Sequence, residues 1–250
     1  MRKLYFLHKL ACLSPKRNLV SLKNLATTRK QRALMRSDLK TFGFYSIHAN
    51  EPHTWKLYKN GEFRITLKAK MNKKAFLVKC DSDMSRLLIS VNFYKLFGSQ
   101  FTFVPHGQVY SVNGNQYLAT EYIKHTTFLE SKNYIKKHLS EYLEQALNIL
   151  HSFDKFKIIH CDLGEYNLIF QRKTKKMFLI DFDTWHSDLF PLEGARKPPR
   201  KNVYVESGLS VFDDAYCFVK IFTQLKVRDI EKNSVFKSIT ELIGKNVYKW

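Results

Sequence analysis

Two short apolar runs, Leu168-Ile169-Phe170 and Met177-Phe178-Leu179-Ile180, flank the basic turn Arg172-Lys173-Thr174-Lys175-Lys176 and read as a β-hairpin. A hairpin brings the residue entering its first strand, Asn167, next to the residue leaving its second, Asp181. Just upstream, Ile159-His160-Cys161-Asp162-Leu163-Gly164-Glu165-Tyr166 supplies a second carboxylate, Asp162, at the start of the loop that ends in Asn167. Whatever this chain folds into must place two acids and one amide at one end of a hairpin.

That set suits phosphoryl transfer. The reaction asks a protein mainly for positioning and for neutralisation of charge on the transferred group. Magnesium, a hard octahedral ion that keeps several waters, takes only one or two protein oxygens. The order D-L-x-x-x-N, from Asp162 to Asn167, followed by an acid after the next strand, assigns Asp162 and Asn167 as catalytic residues. It assigns Asn167 and Asp181 as metal ligands, with ATP and Mg2+ as cofactors. His160 reads as a loop-shaping hydrogen-bonding residue. A lone D-x-x-x-x-N matches by chance, and such acids often cap helices or shape loops. Here the His-x-Asp-Leu, the Asn, two strands and Asp181-Phe182-Asp183 occur in order.

An ATP-holding lobe is expected upstream. Trp55–Tyr58, Phe63–Lys68 and Ala75–Cys80 read as strands of an antiparallel meander, separated by Lys59–Glu62 and Met71–Lys74. Lys79 ends the third as Val-Lys, the place for the lysine that contacts ATP phosphates. The phosphate-covering turn offers Gly61 and no G-x-G-x-x-G. A helix is expected at about 82–97, with Asp81 and Asp83 near its start, and it carries no glutamate to pair with Lys79. A residue outside the pattern replaces that partner, or the lysine acts through phosphates alone, or activity is lost. Asn113-Gly114 between alternating runs predicts a further hairpin. Its second strand leads to Glu121-Tyr122-Ile123, which either resembles the hinge of kinase-like proteins, implying that Glu121 and Ile123 meet the adenine edge, or is an ordinary strand end.

Apolar residues at helical spacing, Ile135, Leu139, Tyr142, Leu143, Ala146, Leu147 and Leu150, predict one core helix over 131–153 capped by Ser131. Val211–Phe222 reads as another buried helix. Its Asp214 serves either to hold the catalytic loop's backbone or simply as an acid favoured at a helix N-terminus.

With 250 residues and 44% hydrophobic content, the chain has material for a sizeable core. No run is long and apolar enough to span a bilayer. Cys12, Cys80, Cys161 and Cys217 lack C-x-x-C spacing, which argues against a zinc site or disulfide framework and for a reducing compartment. Net charge is +20, and residues 1–40 hold eleven basic side chains against one acid, Asp38. Leu4, Tyr5, Phe6, Leu10 and Leu13 are among the apolar residues interleaved there, giving a basic amphipathic segment suited to an anionic membrane surface. Nucleic acid ranks second, without a recognition module and so with no specific nucleic acid expected. An organelle transit peptide is a third reading.

Only 69 residues follow Asp181, no A-P-E closes an activation segment, and Asp183 stands in place of the glycine of D-F-G. With His160–Phe170 and Lys79, these features resemble the small bacterial lipopolysaccharide-core sugar kinases of the heptose and Kdo type, over about residues 50–225. The resemblance implies an α+β fold, two-lobed and protein-kinase-like, with a small antiparallel β N-lobe and a shortened, mainly helical C-lobe. The expected organisation is a basic segment 1–45, an N-lobe 46–123 and a C-lobe 124–250. The implied reaction is ATP-dependent phosphorylation of a sugar hydroxyl on a glycolipid acceptor at the cytoplasmic face of the bacterial inner membrane. Arg196, Lys197, Arg200 and Lys201 line the acceptor side or form a solvated loop. An aminoglycoside- or choline-type phosphotransferase, an atypical protein kinase and a pseudokinase scaffold are the alternatives. Oligomeric state is left open.

Overall fold

A computed structural model describes residues 29–49, 55–57, 63–81, 84–190, 203–206 and 209–249. The turn at 59–62, Asp83, most of the basic N-terminal segment and the loop carrying Arg196 to Lys201 lie outside the described residues. The fold is mixed α+β, an antiparallel sheet followed by helices, as expected for a kinase-like chain. The chain divides into two compact units. One holds residues up to 83 with Tyr110–Tyr117, the other Met84–Val109 and Leu118 onward.

The first unit opens with helix α1 (29–41). Gly43, at φ +84°, turns the chain out of it, and the Phe44 amide donates to the Leu39 carbonyl at 3.1 Å. Strands β1 (Tyr45–Ala49), β2 (Trp55–Leu57), β3 (Phe63–Met71) and β4 (Lys74–Asp81) follow, then β5 (Gly107–Val112) and β6 (Asn115–Glu121). The sheet order is β1-β3-β4-β6-β5, with β2 also on β3. The β3–β4 turn is tighter than expected: Met71 and Lys74 pair with each other, and only Asn72 and Lys73 turn, at φ +50° and +65°. Two left-handed residues match the twist of the flanking strands. Asn113 and Gly114, at φ +51° and +74°, do the same between β5 and β6.

Alternation then sorts the side chains. Ile65, Leu67 and Ala69 of β3 and Phe76 and Val78 of β4 are buried, as are Met35, Leu39 and Phe44. Phe44 meets Phe76 edge-on at 5.7 Å between ring centroids. Asp81, expected near a helix start, instead ends β4 and pairs with Arg64 Nε at 2.9 Å. Asp38, the single acid of the first forty residues, is 3% exposed. It accepts from Asn113 Nδ2 at 3.3 Å, Asn115 Nδ2 at 3.4 Å and the Tyr117 hydroxyl.

The second unit begins with α2 (Met84–Phe97) and continues through β7 (Thr126–Thr127), α3 (Phe128–Lys137), α4 (Leu139–Lys155) and β8 (Ile158–Ile159). The hairpin β9 (Leu168–Gln171) and β10 (Lys176–Leu179) comes next, then β11 (His186–Ser187), β12 (Val203–Glu206) and β13 (Leu209–Asp213). Helix α5 (Asp214–Thr223), α6 (Ser234–Glu241) and β14 (Val247–Lys249) close the chain. Its core is rich in aromatic rings: Phe93, Phe97, Phe101, Phe153, Phe182 and Trp185 are buried together. Gly107 is required there, because a Cβ would overlap the Tyr94 ring.

Two expectations are corrected. The stripe over 131–153 belongs to two helices, broken at His138 (φ −121°, ψ 32°). The N-cap is Thr127, whose side chain and Glu130 form a capping box, while Ser131 is fully buried and hydrogen-bonded to Thr126. Secondly, Val211–Asp213 is strand, paired to both β12 and β14, and the helix starts at Asp214. A short apolar run reads equally as strand or helix until its pairing partners are known.

Candidate active site

The hairpin is in the register the spacing demands: Leu168 faces Leu179 and Lys176 faces Gln171. One residue beyond the last pair, the Ile180 amide donates to the Asn167 carbonyl at 3.0 Å. Asn167 and Asp181 therefore adjoin at the open end. The Asn167 side-chain nitrogen donates to the Asp162 carbonyl at 2.7 Å and reaches its carboxylate Oδ2 at 3.3 Å. Those bonds fix the amide's orientation and leave Oδ1 as the atom it could offer to a cation. Asp162, Asn167 and Asp181 are all partly exposed, as groups that meet a ligand must be.

His160 organises the loop from within. It is fully buried; its Nδ1 accepts from the Asp162 amide at 3.3 Å and its Nε2 lies 2.9 Å from the Ile180 carbonyl. One nitrogen accepting and the other donating describes a neutral imidazole protonated on Nε2. It therefore ties the loop bearing Asp162 to the strand that leads into Asp181, in agreement with a loop-shaping role. Two residues here take left-handed backbone, Cys161 at φ +63° and Asp181 at φ +68°. Such conformations persist in residues with a Cβ only where surroundings enforce them.

Asp214 holds the backbone next to the first. Its carboxylate accepts the His160 amide at 2.8 Å, and burial, reinforced by neighbouring Asp213, pushes its pKa up to about 7. Of the two roles considered for Asp214, the structure gives it the backbone contact, and Asp213 caps the helix by accepting the Tyr216 amide at 3.0 Å. Cys161 is a packed thiol whose pKa burial pushes well above its ordinary value.

After Asp181, Phe182 stacks on Phe93 of α2 at 3.6 Å between centroids and 10° between planes. The Trp185 indole donates to the Ile89 carbonyl at 2.8 Å, and the Ser90 hydroxyl donates to Asp183. Burial, and then the charges of Asp181 and Asp183, raise the pKa of Tyr94. Sequence reading missed Ser90, Tyr94 and Trp185; only the departure at Asp183 pointed toward them.

Of the remaining site candidates, Lys79 lies on β4, Glu121 ends β6, and Ile123 follows that strand. Lys79 is half-buried on β4 opposite Thr66, on the face away from Val78. The Glu121 amide donates to the His106 carbonyl at 2.7 Å, and the Ile123 carbonyl lies 2.6 Å from His125 Nδ1. Among the described residues no group of three or more His, Cys, Asp or Glu is placed to hold a metal by itself. Magnesium bound with a nucleotide needs no such cage, and one carboxylate with one amide oxygen fits its demand.

The RIO domain matches residues 44–185, from the start of the sheet to Trp185. The chain belongs to the RIO family. RIO-domain proteins are atypical Ser/Thr kinases, phosphotransferases with hydroxyl acceptors, and they use ATP with Mg2+. The kinase-like fold, the phosphotransferase activity and both cofactors are thus those of this RIO chain as well. A comparison with curated proteins gives no match. The family match says nothing of a sugar acceptor.

Proposed function

We propose that Asp162 orients the acceptor hydroxyl and accepts its proton, while Asn167 Oδ1 and Asp181 hold the magnesium that accompanies ATP. The observation that carries this reading is the double engagement of Asn167: its side chain is bonded to Asp162 and its backbone to Ile180, beside Asp181. One residue thereby fixes the base relative to the metal-binding strand. When bound, magnesium neutralises phosphate charge; the protein's own part is alignment and proton acceptance. Lys79 is the cation for the ATP phosphates. An adenine edge would be met by the Glu121 carbonyl and the Ile123 amide.

The acceptor in this proposal is a sugar hydroxyl of an anionic glycolipid, as in lipopolysaccharide cores. A net charge of +20 supports it, since such a protein is drawn to phosphate-rich acceptors and anionic membrane surfaces. In this reading the enzyme works peripherally at the inner face of a bacterial inner membrane. Among the described residues no helix is long and apolar enough to cross a membrane. A second reading, a protein serine or threonine hydroxyl, is favoured by the family match. Transfer of label from γ-labelled ATP with Mg2+ separates the two. Labelling of core glycolipid over generic protein, with no autophosphorylation, supports the first; the converse supports the second. Labelling of small amines and alcohols alone overturns both.

A further inference from the structure

Ser90 sits in the middle of α2 among buried apolar residues, Leu87, Ile89, Val91 and Phe93, and is itself 1% exposed. A hydroxyl there weakens the helix by competing for its backbone and is costly to bury without a partner. Its partner is the Asp183 carboxylate, 93 residues further along the chain. Asp183 stands two residues after Asp181, whose left-handed backbone has to be enforced from outside.

The enforcement comes from both sides. Before Asp181, the Ile180 amide and carbonyl are held by Asn167 and His160. After it, Phe182 lies flat on Phe93, the Trp185 indole is bonded to the Ile89 carbonyl, and Ser90 holds Asp183. Stacking and the indole bond fix the position of the segment. The Ser90 bond is directional and acts on a side chain two residues beyond the metal-binding acid.

We infer that Ser90 is a positioning residue for the metal-binding segment, acting through Asp183 to hold Asp181 in its ligating conformation. This rests on Asp181 being a metal ligand. Helix α2 thus contributes to metal binding by a hydroxyl–carboxylate bond, in a helix whose described residues contain no glutamate.

The test is magnesium-dependent binding of a fluorescent ATP analogue to the full chain, with thermal unfolding measured in parallel without nucleotide. Ser90→Ala is expected to raise the Mg2+ concentration for half-maximal binding about 10-fold, the usual scale for losing a partner that orients a ligand. Ser90→Thr, which keeps the hydroxyl, restores most of it. Asp183→Ala raises the requirement at least as much as Ser90→Ala, and adding Ser90→Ala to Asp183→Ala raises it no further, because the shared bond is already gone. Should Ser90→Ala fail to fold, Asp183→Asn against Asp183→Ala decides: Asn keeps the acceptor and should stay near wild type, and equal behaviour overturns the inference. An unchanged magnesium requirement in Ser90→Ala, with loss confined to thermal stability, also overturns it. Asp181→Ala is the control. If it too leaves the magnesium requirement unchanged, the metal assignment itself fails; if it shifts while Ser90→Ala does not, only the role of Ser90 fails.

Discussion

The His160 amide donates to the Asp214 carboxylate at 2.8 Å across 54 residues of sequence, which couples the first turn of α5 to the loop that bears Asp162. The acid is buried and titrates near pH 7 rather than near 4, so the folded chain retains a proton that the unfolded chain releases. Stability then falls as pH rises from about 4 to about 7 and is level above that, by linkage. Asp214→Asn keeps an acceptor for the His160 amide and removes the titration. Denaturant unfolding at pH 4, 5.5 and 7 should show a flatter profile for the variant. The gain over wild type at pH 7 is at most roughly 4 kcal/mol. A profile unchanged from wild type contradicts the assignment.

His160 bridges two backbone groups through its two ring nitrogens. His160→Leu fills much of the space but removes the ring's bonds to the half-buried Ile180 carbonyl and the Asp162 amide. We expect a loss of about 1–3 kcal/mol for each group left unmade, and a fall in transfer rate exceeding the loss of nucleotide affinity. Equilibrium unfolding and nucleotide titration on one preparation check both.

Asp38 binds three side-chain donors on the β5–β6 hairpin. Asp38→Ala should destabilise the first unit by about 1–3 kcal/mol, chiefly because it strands the buried Tyr117 hydroxyl. Tyr117→Phe, which removes one of the three donors, should cost less, about 1 kcal/mol. If Asp38→Ala unfolds at the wild-type temperature, α1 is not anchored as described.

The Thr127–Glu130 capping box predicts that Thr127→Ala lowers stability by about 1 kcal/mol, whereas Ser131→Ala acts through its buried bond to Thr126 and not as a cap. Replacing Ser131 by Asp tests the difference: a true cap position tolerates the acid, and the buried position does not. Thermal unfolding reads out all three variants.

The site was legible where its logic is local. Asp162, Asn167 and Asp181 are joined by one loop and one hairpin whose turn chemistry and alternation show in the chain itself, and the register came out as spacing required. The interactions that stiffen the site were not legible. Ser90 and Asp183 lie 93 residues apart and Asp38 and Tyr117 79 apart, and neither pair leaves a trace in linear order. The misreadings share that cause: Val211–Asp213 became a strand because β12 and β14 flank it, and the 131–153 helix broke at His138 though its apolar stripe runs on. The loop from His160 to Phe170 and Asp181-Phe182-Asp183 locate a chain among kinase-like proteins but say little of its acceptor, and that is why the sugar-kinase resemblance reached the fold and chemistry while the match is to the RIO domain.

The most direct measurement compares wild type, Asp162→Asn and Asp181→Ala for magnesium-dependent ATP binding and for transfer of the γ-phosphate to the acceptor that wild type labels. Asp162→Asn should lose at least about 10²-fold in transfer while binding magnesium-ATP as wild type does; Asp181→Ala should lose the magnesium-dependent binding itself. Full turnover by Asp162→Asn, or magnesium-ATP binding untouched in Asp181→Ala, would contradict the account.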